Sequence, residues 1–142
     1  MAPEFRIAIF GFLTAFVWEM WQMPFYDQSG LNFTDMVKGC SLGSFGDAGL
    51  MVFAYYTAGK LAGTRHWLIR PRKTAIAVYL AAGLLVTFGV EQIAIRSEIG
   101  WEYDKLMPRE PLFGTGLVPL VMWIVVPLVT LWLARLPLSE PD

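Results

Sequence analysis

Four long apolar segments, separated by polar connections, dominate the sequence. The hydrocarbon core of a bilayer takes about 20 helical residues to cross, and each segment has about that length. The pattern therefore predicts an all-α protein, a polytopic integral membrane four-helix bundle. Almost nothing is left over for a soluble module, so we expect a single domain over residues 1–142. The predicted spans cover residues 7–25, 40–60, 74–95 and 117–133.

The second apolar segment is the most irregular of the four. Residues 39–49 have the sequence G-C-S-L-G-S-F-G-D-A-G, which is too rich in small residues for a wall that faces lipid. Gly39, Gly43 and Gly46 lie on one side of the helix, and small residues allow helix backbones to approach closely. We expect Gly43 and Gly46 to face another helix. The Gly39–Gly43–Gly46 face is also the predicted contact for a membrane protein partner or for a second copy of the chain.

Basic residues are concentrated in the connection between the second and third segments. By the positive-inside rule, this connection lies in the cytoplasm. Arg6 and Arg135, near the two ends of the chain, fall on the same side, which predicts an N-in and C-in topology. The N-terminal residues lack the basic region and cleavage site of a signal peptide, so we expect the first span to remain in place. The basic residues of the connection are Lys60, Arg65, Arg70, Arg72 and Lys73.

Composition supports a membrane protein and excludes several other classes. Hydrophobic residues make up 56% of the chain and charged residues only 16%, against roughly 25% charged in soluble domains. The net charge of −1 gives no reason to expect nucleic acid. The single cysteine, Cys40, excludes a disulfide or a multi-thiolate metal site within one chain.

The sequence predicts no cofactor and no metal site, although a soft-ligand alternative stays open. Thioether and thiol sulfurs are the ligands that Cu(I) prefers, but methionine is also the usual filler of irregular cores. The sulfur residues on the relevant side are Met20, Met23, Met36, Cys40 and Met107.

Three of the predicted spans carry one carboxylate each: Glu19, Asp47 and Glu91. Glu19 lies about 9 Å before the end of its span at Phe25, and Glu91 about 7.5 Å before Arg96, at the helical rise per residue. A carboxylate inside hydrocarbon almost always faces the bundle interior, a partner or a water-filled cavity. Asp47 falls at a matching depth if the glycine-rich stretch marks the entry of the second span into the membrane. We therefore expect the three groups to converge in one outward-biased cavity, capped by the loop of residues 101–107.

Clustered carboxyl groups in a medium of low dielectric constant cannot all stay ionised, so at least one holds a proton near neutral pH. This property is typical of a general acid or a proton relay. We assign Glu19, Asp47 and Glu91 as candidate catalytic residues. A structural network, in which the acids only fix the packing, is the alternative. The candidate ligand-binding residues are Trp18, Gln22, Trp101 and Tyr103.

These features favour a site that binds a hydrophobic lipid- or isoprenoid-type ligand, or acts on it by acid–base chemistry. Whether a reaction is catalysed stays open at this point. Two alternatives are an accessory subunit of a larger membrane complex and a proton or cation path in an oligomer. Membrane lipids are the other expected partners, because the basic connection is positioned to touch anionic headgroups.

Four motifs carry a resemblance to a known group of proteins. They are W-E-x-x-Q-M-P-x-Y at residues 18–26, S-F-G-D at 44–47, G-W-x-Y-x-x-x-M-P at 100–108 and G-x-G-L-x-P-L at 114–120. The chain resembles small four-span bacterial inner-membrane proteins over nearly its whole length. The resemblance implies the topology and a bacterial inner-membrane location, and it implies no activity.

The chain departs from that group at Met122, where a glutamine is expected before the tryptophan of the fourth span, which argues against a polar role for this helix. The layout is also similar to membrane-bound lycopene cyclase domains, whose helices carry W-x-Y and proline-led segments. Those domains have a paired Glu-Glu that this chain lacks, so cyclase activity is not implied.

Overall fold

The described part of the chain is all-helical. A computed structural model describes residues 1–63, 67–98 and 100–136, so Arg65 and His66 of the basic connection lie outside the described residues. The prediction of an all-α fold with four helices is confirmed for these residues. The helices are α1 (Pro3–Gln22), a short 3₁₀ helix (Met23–Phe25), α2 (Phe33–Leu61), α3 (Lys73–Ala94) and α4 (Leu117–Arg135).

Helix α2 is longer than the sequence predicts, since it begins at Phe33 and not near residue 40. The side chain of Asn32 caps its first turn by accepting a hydrogen bond from the backbone N–H of Asp35, 3.0 Å away. The glycine-rich stretch is therefore part of a continuous helix and does not mark its start. Inside that stretch, the hydroxyl group of Ser44 donates to the carbonyl oxygen of Cys40 at 2.7 Å, so it needs no partner outside the helix.

The four helices pack in a ring that follows the order of the chain. Helix α1 contacts α2 and α4, and α3 contacts α2 and α4. Between α1 and α4, the hydroxyl groups of Thr14 and Thr130 are hydrogen-bonded at 2.8 Å. Beside them, a methyl group at Gly11 would lie 3.0 Å from the sulfur of Met51 on α2, so three helices meet closely at this level.

The core is aromatic towards the end of the bundle where α2 ends and α3 begins. Trp67, in the connection between these helices, packs its ring against Tyr55 and Tyr79, with ring centroids 5.1 Å and 5.6 Å away. Its indole N–H donates to the backbone carbonyl of Tyr55 at 3.1 Å. Trp67 and Tyr79 are almost completely buried. This packing fixes the connection against the bundle.

Within the part of the chain that the structure describes, two helices are long and apolar enough to cross a membrane, namely α3 and α4. The other two carry more charge, for example Arg6 and Glu19 on α1 and Lys38 and Asp47 on α2. Many large apolar side chains point away from the core; Val17, Leu42, Leu85 and Ile93 are each at least 70% exposed. Such a surface is compatible with a protein that is associated with a membrane.

We expect Gly83→Ala to destabilise the bundle, because a methyl group at Gly83 would overlap the buried ring of Trp123. Overpacking of this kind costs about 1–3 kcal/mol. Gly89→Ala is the matched control: it lies on the same helix, and nothing lies within 4 Å of its added methyl group. The free energy of unfolding in detergent, measured by circular dichroism, should fall for the first variant only. Equal effects would contradict this packing.

Candidate functional site

The candidate site lies at the end of the bundle where α1 and α3 end and α4 begins, which we call the cluster end. The loop between α3 and α4 is held against the end of α1 by backbone hydrogen bonds. The N–H of Asp27 donates to the carbonyl oxygen of Glu102 at 2.9 Å, and the N–H of Asp104 donates to that of Phe25 at 3.0 Å. Tyr26 and Tyr103 are thereby paired side by side, as in a short antiparallel bridge.

The second half of this loop is shaped by the carboxylate of Glu110. It accepts hydrogen bonds from the backbone N–H groups of Leu112 and Phe113, both at 2.7 Å, and of Thr115 at 3.1 Å. The loop then returns to the bundle at Gly116, where a methyl group would lie only 2.8 Å from the sulfur of Met107. A side chain at this position would therefore have to displace the thioether of Met107 from beside the backbone.

Glu91 is the acidic residue that the loop covers. Its carboxylate is only 5% exposed. The indole N–H of Trp101 donates to its Oε2 at 3.2 Å, and the hydroxyl group of Tyr103 donates to the same oxygen. Tyr26 donates a third hydrogen bond from the other side of the bridge. A buried carboxylate is tolerated when donors of this kind satisfy it.

The two tyrosines act as donors throughout the ordinary pH range. Burial and the nearby charge of Glu91 raise the pKa of the Tyr26 phenol. Burial and the hydrogen bond to Glu91 likewise raise the pKa of Tyr103. The hydroxyl oxygen of Tyr103 also accepts from the backbone N–H of Gly116 at 3.0 Å, which links the acid to the start of α4.

The other two acids form a pair between α1 and α2. The carboxyl groups of Glu19 and Asp47 lie close enough for a hydrogen bond between them. Because a carboxylate only accepts, a hydrogen bond between two carboxyl groups requires a proton on one of them. Atom Oδ2 of Asp47 is buried and accepts no hydrogen bond from an N–H or hydroxyl donor in the described part of the chain.

Neighbouring residues orient the pair. Gln22 is only 4% exposed, and its side chain hydrogen-bonds to Glu19 one helical turn away. Its amide oxygen accepts from the indole N–H of Trp18 at 3.1 Å. On α2, the backbone of Gly43 lies beneath the acid, since a methyl group there would be 3.4 Å from Cδ of Glu19. Both polar groups of the Gln22 amide are therefore used.

The structure thus brings together the three acids that the sequence singled out, which we call the carboxyl cluster (Glu19, Asp47 and Glu91). The charge of Glu91 acts on both Glu19 and Asp47. Among the described residues, no group of three or more histidine, cysteine, aspartate or glutamate side chains is arranged to hold a metal ion. The four predicted ligand-binding residues surround the cluster: Trp18 and Gln22 beside Glu19, and Trp101 and Tyr103 on Glu91.

Sequence reasoning missed two further contributors, Tyr26 and Cys40. Tyr26 belongs to the same motif as Glu19 and Gln22, but no role in the site was predicted for it. The thiol of buried Cys40 donates to the sulfur of Met23 at 3.3 Å, and the charge of Glu19 acts on it. Cys40 therefore lies at the edge of the carboxyl cluster.

The prediction that Gly43 and Gly46 both face another helix is wrong for Gly46. Nothing lies within 4 Å of a methyl group added at Gly46 or at Gly39. Helix α2 turns a neighbouring stripe inward, which includes Cys40, Ser44 and Ala48. The glycine face is left open apart from the contact of Gly43 with Glu19, so its role towards a partner stays a prediction.

Comparison with known proteins identifies no relative: no family model, no curated protein and no solved structure matches the chain. The resemblance to four-span inner-membrane proteins therefore stays an expectation, and arguments about function depend on the geometry of the site.

Substitution of Gly43 tests the contact with Glu19. Gly43→Leu should lower the free energy of unfolding by about 1–3 kcal/mol, because its side chain would displace the Glu19 carboxyl group. Gly46→Leu introduces the same side chain on the same helix at a position with open space. Thermal unfolding of both variants in detergent should separate them. A Gly43→Leu protein as stable as Gly46→Leu would show that Glu19 does not rest on this position.

Proposed function

We propose that all four helices cross a membrane and that the cluster end faces outward, with both chain termini in the cytoplasm. The length and composition of α3 and α4 support this proposal, and α1 and α2 pack alongside them in a ring. The charges of α1 and α2 do not oppose it, since Glu19 and Asp47 are turned towards each other and not towards lipid. The basic residues are concentrated at the opposite end of the bundle.

Within this frame, the carboxyl cluster is a site that binds a hydrophobic lipid- or isoprenoid-type ligand and acts on it by acid–base chemistry. One observation carries the proposal: a carboxyl group that three neutral donors surround lies beside two further carboxyl groups, which are close enough to share a proton. An acid and a base are thus present together, which general acid–base catalysis requires. Positioned groups of this kind contribute roughly 10² to 10⁴ in rate.

Each residue has a defined task in this mechanism. The Glu19–Asp47 pair supplies a proton to the ligand from Asp47, whose Oδ2 accepts from no N–H or hydroxyl donor among the described residues. Glu91 stays ionised and stabilises positive charge that develops on the ligand, or accepts a proton from it. Trp18 and Trp101 present aromatic faces, which attract cationic carbon skeletons as well as apolar ones. The loop that carries Trp101 and Tyr103 excludes water from the site.

The ligand is tested by lipid analysis of the purified protein. The wild-type protein, extracted in mild detergent, should carry a hydrophobic molecule that is enriched over the bulk lipid when extracts are compared by mass spectrometry. Glu91→Gln and Asp47→Asn should keep the fold, because an amide still hydrogen-bonds, but lose this molecule. Glu102→Gln is the matched control, since Glu102 is exposed in the same loop. Identical lipid content in all four proteins would overturn the proposed site.

The orientation is tested separately by reporter fusions. Fusions at Gly30 and Lys105 should report an external location, because both positions lie in connections at the cluster end. A fusion at Arg70 should report the cytoplasm and serves as the control. A cytoplasmic signal at Gly30 or Lys105 would contradict an outward-facing site.

The open glycine face of α2 favours a second candidate function, an accessory subunit of a larger membrane complex. Gly39 and Gly46 leave space on the surface where the helix of another protein can approach closely. In that case the three acids of the carboxyl cluster have only a structural role. The amide variants would then alter thermal stability and leave the lipid content unchanged, which distinguishes the two candidates.

A further inference from the structure

We call the end of the bundle that lies opposite to the carboxyl cluster the basic end. A groove lies at this basic end. It encloses about 120 Å³ between α3, α4 and the connection that precedes α3. The described residues that line it are apolar except for Arg135. The apolar lining includes Trp67, Leu68, Ile76, Leu128 and Trp132.

One wall of the groove is fixed and the other is open to the surroundings. Trp67 and Leu68 are each 1% exposed, and the hydrogen bond from Trp67 to Tyr55 holds the wall in place. On α4, Leu128 and Trp132 are 39% and 59% exposed. A chain-like apolar molecule can therefore enter from the side of α4 without any rearrangement of the core.

Among the described residues, the charges around the groove are strongly one-sided. Pro71 also lines the groove, and the exposed residues Arg70 and Arg72 flank it in sequence. Glu4 is the one acidic residue among the described residues of this end. An anion placed beside Arg135 would thus meet a field that is largely positive. The basic residues described at this end are Arg6, Lys60, Arg70, Arg72, Lys73 and Arg135.

We propose that this groove binds one anionic phospholipid, with an acyl chain against the apolar walls and the phosphate group on Arg135. An apolar groove with a guanidinium group in its lining suits a molecule that has both an apolar chain and an anionic group. Guanidinium groups suit phosphate because their N–H donors form paired hydrogen bonds with its oxygens. Free phosphate has no apolar chain that could pack against the apolar walls of the groove. This site is separate from the carboxyl cluster and does not depend on its function.

Native mass spectrometry of the full chain in neutral detergent tests the proposal. Titration with phosphatidylglycerol should give a first lipid-bound state at lower concentration than titration with phosphatidylcholine. Arg135→Gln should weaken phosphatidylglycerol binding about fivefold, the effect of one cationic side chain near anionic lipid. Lys60→Gln removes the same charge from the same end, outside the groove, and should leave binding unchanged.

A second pair of variants tests the walls and does not depend on Arg135. Leu128→Gln places an amide in the groove and should weaken the binding of both lipids. Val129→Gln is its control, because Val129 is equally exposed at 39% but does not line the groove.

Three results would overturn the proposal. If Arg135→Gln and Lys60→Gln lost phosphatidylglycerol affinity equally, the binding would arise from the general positive charge of the basic end and not from the groove. Equal binding of the two lipids by the wild-type protein would remove the anion selectivity. Competition by glycerol phosphate at similar concentration would show that the acyl chain plays no part.

Discussion

The burial of Glu91 is the constraint on which the cluster end of the structure depends. A carboxylate away from water costs far more than it contributes unless donors surround it. In this chain the donors come from outside α3: Trp101 and Tyr103 from the following loop, and Tyr26 from the end of α1. Satisfying one acid therefore closes the loop over the bundle and ties it to α1. The loop that covers the site and the acid within it stabilise each other.

The free-energy cost of burying Glu19 and Asp47 is offset in a different way. Instead of neutral donors, each carboxyl group uses the other, with Gln22 completing the shell of Glu19. This solution requires close approach of α1 and α2, which Gly43 permits. The cluster thus contains one acid that three donors surround and one pair of acids whose carboxyl groups face each other. That difference in environment is what separates a base from an acid in catalytic sites.

The depths of residues along their helices could be predicted from the sequence, because the rise per residue of a helix is fixed. Counting from Phe25 and Arg96 placed Glu19 and Glu91 at similar heights, and their charges interact in the structure. Helix rotation was not predictable, because α2 carries two adjacent stripes of small residues. The structure buries the stripe of Cys40, Ser44 and Ala48, and leaves most of the glycine stripe open. The contact of Tyr26 with Glu91 was also missed, since it joins residues far apart in the chain.

The central claim is that the carboxyl cluster holds a shared proton beside an ionised acid. Infrared spectroscopy tests it directly, because a protonated carboxyl group absorbs in a region well separated from that of a carboxylate. At neutral pH the wild-type protein should show a carboxylic-acid band that shifts in heavy water and disappears in Asp47→Asn. The same band should persist in Glu102→Gln. Its absence from the wild-type protein, or its persistence in Asp47→Asn, would contradict the account.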